Sequence, residues 1–217
     1  MLSHSWTYQS LVHDVLKMRL NRITVETPID ENNPAKGTTK KSYDLTSNDF
    51  FWTRNAGVPL PQVCEDIEME INKYKEESSE ILRKTGASSI DDLQGANVGA
   101  SAQHLKTALT LLPKLQERKA ILDMHMNIAT ALLKAVKDRD LDNFYQVEET
   151  IMKQSKAQIL DLVNDETKGN QPLDKLRLFI IWYLSTESEV SRADMQRFEE
   201  ALTKVGADIT PLQYVSR

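Results

Sequence analysis

A seven-residue apolar repeat constrains this chain more than any other feature. Ala108, Leu115, Leu122, Ala129 and Val136 fall at intervals of seven, and Leu105, Leu112, Met126 and Leu133 form a companion row broken only by Lys119. Rows at this spacing lay one apolar seam along a helix of coiled-coil character, here from about His104 to Lys137. Pro113 lies inside the seam. It has no N–H to donate to the Leu109 carbonyl, it disfavours helical geometry at Leu112, and it costs about 3 kcal/mol in a helix interior. Two forms reconcile stripe and ring: a kinked continuous helix, or a helix starting at Pro113 with "HLKTALTLL" folded back. They differ by on the order of a few kcal/mol, the scale of a two-state switch, which makes Pro113 a candidate hinge. In the continuous form Leu105, Leu109 and Leu112 extend on a long arm, ready for an amphipathic helix laid alongside; in the bent form they are hidden.

The other arm is a helix over Pro61–Lys84, with Val63, Ile67, Ile71 and Tyr74 on one side. Beyond Tyr74 the sequence "KEESSE" is polar all round, so this end is expected to project into solvent. Residues 85–101 hold three of the seven glycines and no helical stripe, the pattern of a mobile tip. The helical hairpin thus spans about 61–137. Glu65, Asp66, Glu68 and Glu70 make its first arm acidic, and Lys106, Lys114, Arg118 and Lys119 make its second basic. Upstream, Leu11, Val12, Val15, Leu16 and Leu20 mark a helix over Thr7–Leu20, and "RITVETP" and "KKSYDL" alternate as a β-hairpin. Downstream, helices are expected at Leu141–Met152, Ala157–Val163, Leu173–Leu184 and Ala193–Val205. Ser191 and Asp194 form a short-acid capping box for the last, and Gly206 stops it. The expected fold is mainly α: a single multi-helix domain over 1–217, with a long projecting helical hairpin and a small β-hairpin near the N-terminus.

Several chemistries fit poorly. A net charge of -5 disfavours nucleic acid. The longest apolar run, "LFIIWYL", is far too short to span a bilayer, so no membrane insertion is expected. The start "MLSHSWTYQ" lacks a secretory pattern and Cys64 is the single cysteine, which together suit a reducing cytoplasm. Asp138, Asp140, Asp142 and Glu149 occupy positions 1, 3, 5 and 12 of a calcium loop. Asn143 stands where that loop wants glycine, and capping of the following helix accounts for the acids more simply. Gly95 and Gly99 lack the Gly-Lys-Ser/Thr of a phosphate loop, and His4, His13, His104 and His125 form no local metal motif. Cys64 lies on or beside a buried stripe as a packed thiol. No nucleophile, base and orienter occur together, so neither an enzyme nor a cofactor is expected. What remains is a binding arm for partner helices or, alternatively, a passive scaffold such as a subunit-contact domain of a tethering complex.

"SHSWTYQSLVHDVL", "KKSYDL", "LLPKLQERKAILDMH", "DKLRLFIIWYLST" and "PLQY" resemble, in one order from end to end, the Sec-one/Munc-eighteen (SM) proteins of the ER–Golgi branch. That resemblance implies the helical part of the family's third domain, domain 3a, excised from a protein roughly three times as long. The domain that grips the syntaxin N-terminal peptide would precede it. Family members are cytosolic and not enzymes, and they bind syntaxin-type SNAREs and promote SNARE assembly before membrane fusion. The resemblance implies a monomer recruited peripherally to ER and Golgi membranes, whose helical hairpin aligns syntaxin-type and synaptobrevin-type SNARE helices. Pro113 falls on the family's hinge proline, Met126 on a position of synaptobrevin-type contact, and Leu105, Leu109 and Leu112 in the segment that unfurls.

Overall fold

The computed structural model describes residues 5–29, 33–85 and 102–215, and the side chains of all of these except 34, 85 and 102–109. The chain forms two compact units, one of Thr7–Leu132 and one that joins Met1–Trp6 to Leu133–Arg217.

In the first unit, helix α1 (Tyr8–Val15) is followed by strands β1 (Arg22–Pro28) and β2 (Thr38–Asp44), then helices α2 (Phe50–Asn55) and α3 (Leu60–Thr85) and the greater part of α4 (Ala102–Arg139), whose residues from Leu133 on belong to the second unit. The strands pair antiparallel, from Arg22 opposite Asp44 to Pro28 opposite Thr38. Strand β1 buries Ile23, Val25 and Thr27 and exposes the alternate positions, while β2 is open to solvent along nearly all its length. Asn127 Nδ2 donates to Tyr43 Oη at 2.9 Å, so the ribbon is tied to α4, the packing support that two strands alone lack. Helix α1 ends before the expected Leu20. Lys17 and Leu20 adopt left-handed backbone (φ 55° and 57°), and Leu20 is 98% exposed, so the apolar spacing there belongs to no helix.

Helix α2 lies outside every helix that the spacing predicts. Its six residues are too few to show a period, and its start is set by Asp49, whose Oδ1 accepts from the amides of Phe51 and Trp52, each at 2.9 Å. The other oxygen, Oδ2, lies 2.8 Å from His125 Nε2, and His125 Nδ1 lies 2.8 Å from Tyr8 Oη. Tyr8 and His125 are fully buried and Asp49 is 5% exposed. Burial raises the Asp49 carboxyl, but the hydrogen bonds from His125, Trp52 and Phe51 outweigh it and hold Asp49 below the usual carboxylate range. Burial, helped by Asp49 nearby, pushes the Tyr8 hydroxyl well up, so it keeps its proton. His125 Nε2 therefore donates to Asp49, Tyr8 donates to Nδ1, and both ring nitrogens are satisfied. One buried network fastens α1, α2 and α4.

Helix α3 departs from expectation at its polar end. Val63 and Ile67 are buried as the stripe predicts, Ile71 and Tyr74 are half-buried, and Leu60, Glu70 and Ser78, outside the stripe, are buried as well. Arg118 of α4 explains this: Nη2 donates to Glu70 at 2.6 Å and Nη1 to Glu77 at 2.7 Å, while Arg54 donates to the second Glu70 oxygen at 2.9 Å. Burial raises the Glu70 carboxyl, and the two guanidinium groups more than reverse that. The "KEESSE" end is thus engaged with α4, not free on all sides.

The second unit is built around α7 (Pro172–Ser185), which carries "LFIIWYL" and packs against α5 (Leu141–Glu149), α6 (Lys156–Asn164), α8 (Arg192–Lys204) and α9 (Leu212–Val215). Leu178, Phe179, Trp182, Phe198 and Leu202 form the centre of this core. The expected helix to Met152 instead stops at Glu149 and tightens into a 3-10 turn over Ile151–Lys153. Two buried polar groups have full partners: Asp174 takes a bidentate pair from Arg139 at 2.9 and 2.6 Å, and Lys175 donates to the carbonyls of Val163 and Asp165 at the end of α6. Ser191 and Asp194 form the expected capping box, and Gly206 (φ 83°) ends α8 as expected.

Asp49→Ala removes a cap and leaves the buried His125 Nε2 without its acceptor, so it is expected to cost about 2–3 kcal/mol in urea unfolding, against about 1 kcal/mol for Tyr8→Phe. Arg118→Ala strands Glu70 with Arg54 alone. A cost of about 2 kcal/mol is expected, below that of a fully buried pair because the guanidinium is partly wet, and replacing Arg118 and Glu70 together by Met should recover much of it. The hydrogen bonds from the Lys156 ammonium and Ser191 hold the Asp194 carboxyl down to about 2. A depressed folded-state value stabilises above the unfolded value and is lost as pH falls through the folded one. The stability advantage of wild type over Asp194→Asn should therefore be full above about pH 5, fall through the interval between the two values and vanish at about pH 1.

Candidate functional site

Helix α4 is continuous for 38 residues through Pro113, which is exposed. Of the two forms compatible with the sequence, this is the unbroken one. Exposure suits the ring, because the Leu109 carbonyl left without its helical donor can turn to water.

The apolar rows behave differently along the helix. Leu115, Leu122 and Ala129 of the first row are all buried, and His125, Ile128 and Leu132 widen that buried face. The companion row begins buried at Leu112, 4% exposed, then surfaces at Lys119, Met126 (42%) and Leu133 (51%). Leu112 therefore faces inward in the continuous form, contrary to the expectation that it is offered to a partner there. Met126 is offered. Leu105 and Leu109 lie on the helical backbone of α4, but their side chains, and the tip over 86–101, fall outside the described residues.

The two oppositely charged arms engage each other in part. Glu70 of the acidic arm meets Arg118 of the basic one, whereas Lys119 pairs along its own helix with Asp123 at 3.0 Å. The polar seam between the arms has loose ends: Ser78 Oγ and Arg118 Nε are buried without a hydrogen-bond partner. Sequence pattern gives no sign of this seam, since Glu70 and Arg118 look like ordinary charges on solvated faces.

The calcium-loop spacing does not form a loop. Asp138 is in α4, Asp140 sits in a left-handed turn accepting from Asn143 at 3.1 Å, Asp142 is in α5, and Glu149 accepts from Tyr145 at 2.9 Å. Helix α5 takes up the segment that the loop would need. Among the described residues no group of three or more His, Cys, Asp or Glu side chains could hold a metal ion. Cys64 is half-buried and burial pushes its thiol up, away from the thiolate a nucleophile needs. Among the described residues no helix is long and apolar enough to cross a membrane.

Comparison with known proteins agrees with the resemblance read from the sequence. The Sec1 family model matches residues 1–216. Protein sly1 of Schizosaccharomyces pombe is 50% identical over 217 residues, all of this chain and 33% of the relative. Sec1 family domain-containing protein 1 of Homo sapiens is 41% identical over 229 residues, all of this chain and 35% of the relative. The chain thus spans about a third of the length of these relatives. Among solved structures, Sly1p in complex with an N-terminal peptide of Sed5p superposes with a TM-score of 0.73 at 33% identity, over 99% of this chain and 31% of that one. Vps45 in complex with the Qa SNARE Tlg2 shares the fold, with a TM-score of 0.68 at 17% identity over 99% of this chain and 34% of that one. With a family model matched along almost its whole length, this chain belongs to the Sec1 family.

Proposed function

We propose that this chain is the SNARE-binding helical domain of a Sec1-family protein of ER–Golgi transport, and that its α3–α4 hairpin is a template on which syntaxin-type and synaptobrevin-type SNARE helices are aligned. The observation that carries the reading is the unbroken α4. It keeps the segment bearing Leu105 and Leu109 on one helix with the segment bearing Met126, over about 32 Å from Leu105 to Met126 at the rise of an α-helix. That is an uninterrupted track for a partner helix. Leu112 meets a partner only if the hairpin gives way around it, which gives the Pro113 hinge a role beyond reach. No bond is made or broken; the template lowers the entropy cost of bringing two helices into register. The protein works from the cytoplasm as a monomer recruited to ER and Golgi membranes.

Binding of purified syntaxin-type and synaptobrevin-type SNARE motifs tests this. Leu105→Asp with Leu109→Asp is expected to weaken binding by about tenfold or more, on the scale of losing central apolar anchors, with the helical circular dichroism unchanged. A passive scaffold would lose solubility or a constitutive partner instead. Pro113→Ala is expected to favour the continuous helix, raising SNARE affinity and protecting residues 85–112 from protease. If it changes neither, the hinge is wrong.

A further inference from the structure

A surface recess of about 470 Å³ opens beside the base of the hairpin, bounded by α2, α3 and α4. It uses none of Leu105, Leu109, Leu112 or Met126. A small-molecule pocket of this size is lined mainly by apolar groups, whereas charged side chains dominate here.

Those charges divide into spent and unspent. Both oxygens of Glu70 are taken by Arg54 and Arg118, and Arg118 also reaches Glu77, so these four neutralise one another. Lys73 and Lys114 also line the recess, both exposed, and neither makes an ion pair among the described residues. Against them stands one further lining carboxylate, Glu117. The apolar part of the lining is Phe50, 37% exposed, and the half-buried Ile121. An open recess with two unpaired ammonium groups beside an exposed ring suits a carboxylate carried next to an aliphatic side chain. Glu and Leu one helical turn apart present that pair on one face.

We propose that this recess is a docking socket for an acidic–apolar face of a partner protein helix, with Lys73 and Lys114 receiving its carboxylates and Phe50 and Ile121 its aliphatic group. The socket stands whether or not the hairpin templates SNAREs. Because both lysines are exposed and unpaired, reversing them leaves the fold intact, which circular dichroism checks.

The probe is a fluorescein-labelled stapled helical peptide with Glu and Leu four residues apart, beside its Glu→Lys counterpart, titrated against this chain at low salt by anisotropy. The Glu peptide is expected to bind about tenfold tighter than the Lys peptide, and Lys73→Glu with Lys114→Glu to reverse that order, since complementary charge sets partner choice. Phe50→Ala should weaken the Glu peptide without reversing the order. Equal binding of both peptides, or an order unmoved by the double reversal, overturns the proposal. Displacement of the Glu peptide by micromolar inorganic phosphate would reduce the socket to an anion site and overturn it. So would sedimentation of wild type as a dimer that the double reversal dissolves, which would give the socket to a second copy of this chain.

Discussion

Three helices of the Thr7–Leu132 unit lean on one buried carboxylate, Asp49. The two oxygens of Asp49 act on different helices. Oδ1 starts α2 by accepting two amide protons, and Oδ2 holds His125 in the middle of α4. A buried charge is tolerable only with such complete pairing, because an unpaired one costs several kcal/mol. The partners it needs come from helices far apart in sequence, so it acts as a registration point: α4 cannot slide or rotate against α2 without unpairing the carboxylate. Tyr8 adds α1 to the same point, and Phe51 packs its ring 4.6 Å from the imidazole. The long helix is thereby clamped at His125, twelve residues beyond Pro113.

Away from that clamp the hairpin is held in part by weaker means. Along α3 the buried positions pass from Leu60, Val63 and Ile67 to Glu70 and Ser78, and there Arg118 of α4 pairs with Glu70 and Glu77. A half-wet ion pair contributes far less than buried hydrocarbon of the same area, and the unpartnered Ser78 Oγ and Arg118 Nε subtract from it. Leu112 and Leu115 of α4 stay buried on the far side of Arg118 from His125, so apolar burial continues past the ion pairs.

What the sequence disclosed was whatever had a period or a local rule. The heptad rows located α4, alternation located β1, and Ser191 with Gly206 bounded α8. What it withheld depended on contacts remote along the chain. Helix α2 is shorter than two turns and owes its place to Asp49 and His125, 76 positions apart. Leu20 matched the α1 spacing, yet left-handed backbone at Lys17 and Leu20 had already turned the chain away. The burial of Glu70 is invisible until Arg54 and Arg118 are in place, because a glutamate is buried only where partners replace its water. The Asp49–Tyr8–His125 network had one available signal, an isolated histidine among the apolar positions of a long helix, but no way to name its partners.

The uninterrupted passage of α4 through Pro113 then becomes a question of magnitudes. A proline inside a helix costs about 3 kcal/mol. The residues flanking it in the apolar rows are Leu112 and Leu115, 4% and 6% exposed, and full burial of a leucine is worth about 1.5–3 kcal/mol. Leu115 follows the ring and is helical in either form, so Leu112 is the flanking leucine whose burial is set against the proline, and the two terms are of similar size. On that balance the proposed hinge at Pro113 needs only a modest differential affinity from a partner helix to move, since a ligand shifts a two-state equilibrium by its preference for one state.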